Sequence, residues 1–404
     1  MAKPSTKEPT LHELFGPDPL EDAVRGEIRE RLEGLLREEL TATLGADGYE
    51  RVATRCGYRN GSRPRGVATS VGPVALRVPR GLLPQPDGTD QEWQPRSLPR
   101  YQRRSASVDA AILGTYLAGA NTRRLAAALR PLLKRAPLSK DSVSRLVRRL
   151  RDAFTEWLQR DLREEALVYL YLDAIAVKVR CGGRVVSLPV LVAVGVTADG
   201  QKRLLALRLV GSESTAAWET LVADLARRGV TGLRLVVIDG NPGLQAAVET
   251  TWPGVPLQRC TVHKLRNVLG HAPQHCHEAL HADYEAIVYA ADEAAARAAH
   301  AAFVRKWSKR CAPAVTSLLE AGDLLFTHFR FPAAQRKSLR STNVIERLHG
   351  EFRRRVKTQG ALPTPEAVLL LFFGLLVSGQ VRFRRIDGWQ AMPQVLAPPL
   401  AAAA

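Results

Sequence analysis

Cysteine is scarce in this chain. Five occur in 404 residues, at 56, 181, 260, 276 and 311. An odd, scattered set argues against a disulfide framework. Long apolar runs are missing too. No stretch reaches the roughly 18 uninterrupted apolar residues of a membrane span, and the longest candidate, AVLLLFFGLLV at 367–377, has the length of a buried core helix. MAKPSTKEPT at the start carries no apolar signal core. The expectation is a cytoplasmic or chromosome-associated protein with no membrane partner. No internal repeat is present. Acidic residues are in deficit, 40 against 58 Lys and Arg, for a net charge of +18. Such an excess points to a polyanionic partner, most often nucleic acid, with a merely basic soluble protein as the bland alternative.

The positive charge is unevenly placed. Residues 51–160 hold 22 Lys and Arg against 7 Asp and Glu, and residues 330–386 hold 12 against 3. The remainder is mildly acidic. Two basic segments thus flank a middle suited to holding metal or performing chemistry. Hydrophobic content is 46%, ample for globular folding, and the length predicts more than one domain.

Hydropathy patterning divides the chain into seven regions. Residues 1–50 form a helical region in which Leu20 to Leu44 recur at helical spacing, as an ordinary packed helix or a dimerisation surface. Residues 51–100 combine a basic Gly-rich loop, CGYRNGSRPRG, with a hairpin or bent strand at TSVGPVALRVPR (69–80), turning at Gly72-Pro73. A Pro-rich linker is expected at 83–100. Residues 101–160 read as helices at 107–119, 121–133 and 139–158, the last N-capped by Ser139. Their short connections and the arginines at 145, 148, 149 and 151 suggest a helix-turn-helix-like DNA-binding domain, against a solvated basic face.

Residues 161–261 read as an α/β core: strands at 166–180, 184–196 and 202–210, a helix at 213–228, a strand at 233–239, a short helix, and a strand at 255–260. Short connections predict an antiparallel arrangement of the first three strands, and helical crossovers predict parallel later ones. Residues 262–335 are an all-helical insertion. Residues 336–380 return to the core with a basic helix at 339–358 and an apolar one at 363–378. Residues 381–404 form a Pro/Ala-rich tail.

Three acids stand out. LVYLYLDAIAVKVR (167–180) sets Asp173 inside a strand otherwise built for burial. A buried unpaired carboxylate is costly, so Asp173 requires a partner. LRLVVIDGN places Asp239 at the end of an apolar strand, where α/β ligand sites gather, although Asp-Gly equally makes a turn. In STNVIERLHGEFRRRVK, Glu346 lies beside the apolar stripe of Val344, Ile345, Leu348 and Phe352. Asn343-x-x-Glu346 also has capping-box spacing. Arg347, Arg353, Arg354, Arg355 and Lys357 make that helix a surface for phosphates. Together the three carboxylates fit Mg²⁺ or Mn²⁺, two ions serving phosphodiester chemistry.

Taken in order, YLDAIAVKVR, GSESTAAW, LVVIDGNPGL, QRCTVHKLRN and FRFPAAQRKSLRSTNVIERLHGEFRRRVKTQG resemble the bacterial insertion-sequence transposases of the Mutator-related family. The likeness covers roughly residues 51–392 and includes the segment AGANTRRLAAAL, with Arg123 and Arg124. It implies an RNase H-like core carrying a D-D-E triad of metal ligands, Asp173, Asp239 and Glu346. It also places the family's C/D-x-x-H motif at Cys260 and His263, and matches Trp218. Implied, too, are strand cleavage without a covalent protein–DNA intermediate, transfer of the freed 3′-OH, double-stranded transposon-end and target DNA as partners, and at least a homodimer.

Other readings remain beside these. One reading has His263 ordering the site; another has Cys260 and His263 with His271, His275, Cys276 and His277 holding zinc, although no C-x-x-C pair is present. Trp218 reads best as a core residue and Glu213 as an acid favoured by a helix start. A recombinase with a covalent Ser or Tyr intermediate would have to use Tyr169 or Tyr171, awkwardly placed in the core strand. A catalytically silent, transposase-derived DNA-binding protein is the remaining alternative.

Overall fold

The computed structural model describes residues 18–117, 129, 140–359, 362 and 364–397. The chain forms two compact units, Met1–Arg149 and Leu150–Ala404.

The first unit begins with α1 (Pro19–Leu44), where Asp18 caps the amides of Leu20 and Glu21 and Gly45 closes the helix in the left-handed region. A three-stranded sheet follows: β1 (Tyr58–Thr69), β2 (Gly72–Pro84) and β3 (Asp90–Glu92), in that spatial order and antiparallel. Leu36 packs with Val67, Val74, Leu76, Val78 and Leu98, while Leu40 and Leu44 meet Trp93. The C-terminal half of the apolar stripe is thus buried in its own unit, while Leu20, Val24 and Leu35 stay exposed. This region departs from three expectations. The segment expected as a basic loop is most of β1, because its alternate residues pair with β2. The hairpin turns at Ser70-Val71, just ahead of Gly72-Pro73. The expected linker contributes β3 and is fixed by contacts given below.

Next come α2 (Ala106–Leu117) and α3 (Lys140–Gln159), which runs across the unit boundary. Val108 and Ile112 of α2 pack with Ala68, Leu129, Val143 and Leu146. The helix expected at 121–133, with Arg123 and Arg124, and the Ser139 cap lie outside the described residues.

The second unit is built on a five-stranded mixed sheet, β4 (Leu167–Cys181), β5 (Arg184–Thr197), β6 (Lys202–Leu209), β7 (Leu235–Ile238) and β8 (Leu257–Arg259), in the order β6-β5-β4-β7-β8. β4, β5 and β6 are antiparallel, and β7 and β8 run parallel to β4. This is the arrangement the connection lengths predict. Crossovers α4 (Thr215–Arg227) and α5 (Pro242–Thr251) are capped by Ser214 and Asn241. They bury Trp218, Leu221, Leu225, Leu244 and Val248 against Leu170, Leu172, Val236 and Ile238. A fully buried side chain of this size contributes roughly 1.5–3 kcal/mol. Strand alternation turns Tyr169, Tyr171 and Asp173 to the opposite face.

A helical insertion follows, with α6 (Thr261–Gly270), α7 (His277–Val288), α8 (Glu293–Trp307) and α9 (Ala312–Leu319). It has its own core, including Val268, Leu280, Tyr284, Phe303, Trp307 and Phe326. The chain then returns through α10 (Ala333–Leu339), α11 (Asn343–Gln359) and α12 (Pro365–Val377). The Tyr169 hydroxyl donates to Gln335 at 2.6 Å and that of Tyr171 to the Ser338 carbonyl at 3.1 Å. On α11, Val344, Ile345, Leu348 and Phe352 are buried, and Phe352 stacks on Phe372 of α12. A short helix, α13 (Met392–Leu396), ends the described chain. No helix among the described residues is long and apolar enough to cross a membrane.

Candidate active site

Strand register brings the first two acids together. Leu172 is level with Ile238 across the parallel β4–β7 pair, so Asp173 and Asp239 occupy the next rung. Ile238 is level with Arg259 of β8, and the Cys260 amide donates to the Ile238 carbonyl at 2.7 Å. Asp173, Asp239 and Cys260 therefore follow one another across three adjacent strands. His263 follows on the first turn of α6.

Asp173 is only 2% exposed. Its Oδ1 accepts from the Ala174 amide at 2.9 Å, while Oδ2 is buried without a partner. Burial above all, opposed by His263 and reinforced by Asp239 and Cys260, pushes its pKa up to about 7. The cost of desolvating a carboxylate is large, and its expression here is a site that favours a proton or a cation.

Asp239 does make the turn that Asp-Gly suggests: its Oδ1 accepts from the Asn241 amide at 2.9 Å. Gly240 follows at φ +96°, and the Arg259 guanidinium occupies the place a Cβ would take. The turn is thus shaped around glycine while the carboxylate stays beside Asp173.

Glu213 was read from the sequence as a helix-start acid only. It stays exposed, but desolvation of its carboxyl, and next the charge of Asp239, raise its pKa, while His263 lowers it. Its neighbourhood is therefore that of the aspartates. Asn241 links the two loops by donating to the Glu213 carbonyl at 3.3 Å. Only the fold, not sequence spacing, brings the two segments together.

Glu346 sits in the first turn of α11. Its carboxylate accepts from Arg266 of α6 at 3.0 Å. The start of α11 is fastened to β8 by Thr342, whose amide and hydroxyl donate to Cys260 Sγ at 3.3 and 3.4 Å and whose hydroxyl lies 3.5 Å from His263 Nδ1. The Glu346 amide in turn donates to the Thr342 carbonyl at 3.2 Å. His349, one turn on, is buried with Nε2 unpartnered; burial, then Arg353 and His263, hold it neutral, with a pKa lowered to about 3.

Among the described residues no three His, Cys, Asp or Glu side chains form a group that could hold a metal ion. Two aspartates are adjacent, and the third acid is engaged by Arg266. Of the residues considered for zinc, Cys260 is occupied by Thr342, Cys276 is buried in the core of the insertion, and His277 lies 3.0 Å from the Ala272 carbonyl. Tyr169 and Tyr171 are buried, hydrogen-bonded and raised in pKa chiefly by desolvation, so neither is poised as a nucleophile. Trp218 is wholly buried in the sheet–helix core.

Of the basic residues singled out, Arg353 is exposed and Arg354 pairs with Glu351 at 3.0 Å. Arg148 is exposed, Arg145 meets Ser142, and Arg149 pairs with Asp109 at 3.8 Å. The side chains of Arg347, Arg355 and Lys357 lie outside the described residues.

The second unit is thus an acid-bearing mixed sheet interrupted by a helical insertion, with Arg266 beside its third acid. Comparison with known proteins narrows this: residues 9–385 match the family described as Transposase, Mutator family, and the chain belongs to it. A transposase for insertion sequence element ISRM5 of Rhizobium meliloti is 36% identical over 365 residues, covering 90% of this chain and 88% of that one. Transposases for IS406 of Burkholderia multivorans and for IS256 in transposon Tn4001 of Staphylococcus aureus are 34% and 31% identical over 84% and 85% of this chain. Among solved structures, a Drosophila P element transposase strand transfer complex aligns at a TM-score of 0.29 with 12% identity, over 68% of this chain and 80% of that one, too slight a likeness to bear on the fold.

Proposed function

We propose that this chain is a DNA transposase that binds the terminal inverted repeats of its own insertion sequence, cuts there, and transfers the freed 3′-OH to target DNA. In this reading the second unit is an RNase H-like core in which Asp173, Asp239 and Glu346 act as the D-D-E acids. The observation that carries it is a buried, unpartnered Asp173 oxygen, with Asp239 following the Leu172–Ile238 rung that Asp173 also follows and its charge acting on Asp173.

The donor set suits a hard divalent cation, Mg²⁺ or Mn²⁺. Asp173 and Asp239 would hold it, and Glu346 would join by giving up an exposed ion pair with Arg266, a contact worth about 0–1 kcal/mol. Two bound ions would supply Lewis-acid activation of the attacking oxygen and charge relief at the leaving oxygen. The protein's own part is positional. β4 and β7 fix the aspartates, Thr342 and Cys260 set the origin of the Glu346 helix, and His263 stands where it could donate to a phosphate oxygen. Exposed Arg353 and neighbouring basic residues of α11 would hold the DNA backbone. A homodimer or larger assembly would bring two ends together.

The test is a cleavage and strand-transfer assay on labelled DNA carrying the ends that flank the gene, with Mg²⁺ or Mn²⁺. Wild type should give nicks freeing a 3′-OH, and Asp173→Asn should give none while binding ends normally. Equal binding without cutting by either protein would support the catalytically silent reading instead. A covalent protein–DNA band would overturn the metal mechanism.

A further inference from the structure

The first unit contains a groove of about 1230 Å³ that the candidate active site does not use. Five arginines line it: Arg100, Arg103 and Arg104 from the segment after the sheet, and Arg145 and Arg149 from α3. Its acid, Asp109, is taken by Arg104 at 2.7 Å and by Arg149 at 3.8 Å. Arg100, Arg103 and Arg145 form no close ion pair among the described residues, Arg100 being within electrostatic reach of Glu92. Three unpaired guanidinium groups on one concave surface repel one another, and an anion relieves that repulsion.

The segment bearing Arg100 and Arg103 is built, not slack. Arg65, 9% exposed, reaches from β1 and donates to the carbonyls of Leu98, Pro99 and Gln102. The Ala68 amide donates to the Arg103 carbonyl and the Ser105 amide to the Ala68 carbonyl, each at 2.9 Å. A buried arginine spent on three loop carbonyls fixes the backbone on both sides of Tyr101. Yet Tyr101 itself is 83% exposed, with the Arg100 guanidinium 5.7 Å from its ring. An aromatic ring held out in water on a fixed loop between arginines lowers the ordering cost of stacking on a ligand.

We infer that this groove seats the sugar–phosphate backbone of duplex DNA, with Arg100, Arg103 and Arg145 neutralising phosphates and Tyr101 packing on a sugar or base edge. The inference rests on the transposase reading and deepens it, since it assigns end-binding to the loop at 99–104 as well as to α3. Arg65 is a positioning residue for the loop. Arg29, exposed on α1 and not lining the groove, is the internal control.

The experiment measures binding of the full chain to a duplex carrying the element end and to a shuffled duplex, across a salt series. Each of Arg100→Ala, Arg103→Ala and Arg145→Ala should reduce the slope of log K against log salt by about 0.9, the signature of one lost phosphate contact. Arg29→Ala should leave the slope as in wild type. Tyr101→Ala should weaken binding on the order of 10-fold with no change of slope. Arg65→Met should reproduce the Tyr101 loss without removing a groove arginine. Wild-type binding with unchanged slopes in all three groove variants would overturn the groove and leave the transposase reading standing. A wild type that binds neither duplex would overturn both.

Discussion

Thr342 donates twice to Cys260, from its amide and from its hydroxyl, across 82 residues of chain. The sulfur belongs to the end of β8 and the threonine to the entry of the Glu346 helix. This cysteine serves as the hydrogen-bond acceptor that sets where the helix of the third acid begins.

Cys260→Ala strands the buried Thr342 amide and leaves the Thr342 hydroxyl only its 3.5 Å contact with His263. An unmet buried donor costs roughly 1–3 kcal/mol. Urea unfolding should show a loss of that size, and Cys260→Ser, which keeps an acceptor, should lose less. Cutting should fall further than end-binding in the alanine variant. Equal stability of alanine variant and wild type would remove this clasp from the account.

Asp173 predicts a pH dependence. Its pKa rises on folding from the ordinary 3.8 to about 7. The folded protein therefore binds the proton more tightly than the unfolded one. Its burial costs nothing below the unfolded pKa, costs progressively more as pH climbs between the two values, and levels off above the folded one. In metal-free buffer, Asp173→Asn should gain stability over wild type across that window, by on the order of 2–4 kcal/mol at its end. Adding Mg²⁺ should stabilise wild type and not the variant. Thermal denaturation with and without chelator reads both.

Gly240→Ala should be severely disruptive. The position combines a φ of +96° with the Arg259 guanidinium lying where the new methyl would go. Either the turn carrying Asp239 or the buried arginine must move. Loss of cutting with the sheet's circular dichroism retained is the expected pattern, and a fully active alanine variant would refute it.

Arg266→Met tests the hold on Glu346. The pair is exposed, so stability should change by no more than about 1 kcal/mol. Freed from its cation, Glu346 should reach half-maximal cutting at lower Mg²⁺ than wild type. A higher requirement would mean that Arg266 assists the acid.

Tyr169→Phe and Tyr171→Phe should retain cutting, since each hydroxyl is committed to Gln335 or to Ser338. Their loss should appear as reduced stability alone. Abolished cutting in Tyr171→Phe, with a covalent DNA adduct in wild type, would point to nucleophilic catalysis.

The mixed sheet was legible because its signals are local. Runs of Val, Ile and Leu mark β4, β5 and β7, and connection length decides antiparallel or parallel. Asp239 was legible as an acid ending an apolar strand and Asp173 as an acid inside one, while their shared place follows from the parallel register of β4 and β7. The β1 strand was missed because CGYRNGSRPRG looks like a loop until its partner is known: register with β2 overrides its glycines, one of which forms the bulge at Gly61. The segment at 83–100 looked like a linker because what holds it, the buried Arg65, lies far off in sequence. Glu213 was read as a helix-start residue for a similar reason. Nothing near it in sequence announces Asp239, and the role of Arg266 opposite Glu346 was equally invisible.

The helical insertion also governs the order in which the protein can be completed at the ribosome. Tyr169 of β4 must wait for Gln335, 166 residues later, and Cys260 for Thr342. Until those residues emerge, one face of the sheet, with its buried aspartate, has no cover. Contacts of such sequence separation fold slowly and expose apolar surface meanwhile. A chain cut short within the insertion would keep the basic first unit and two of the acids, yet never acquire the third.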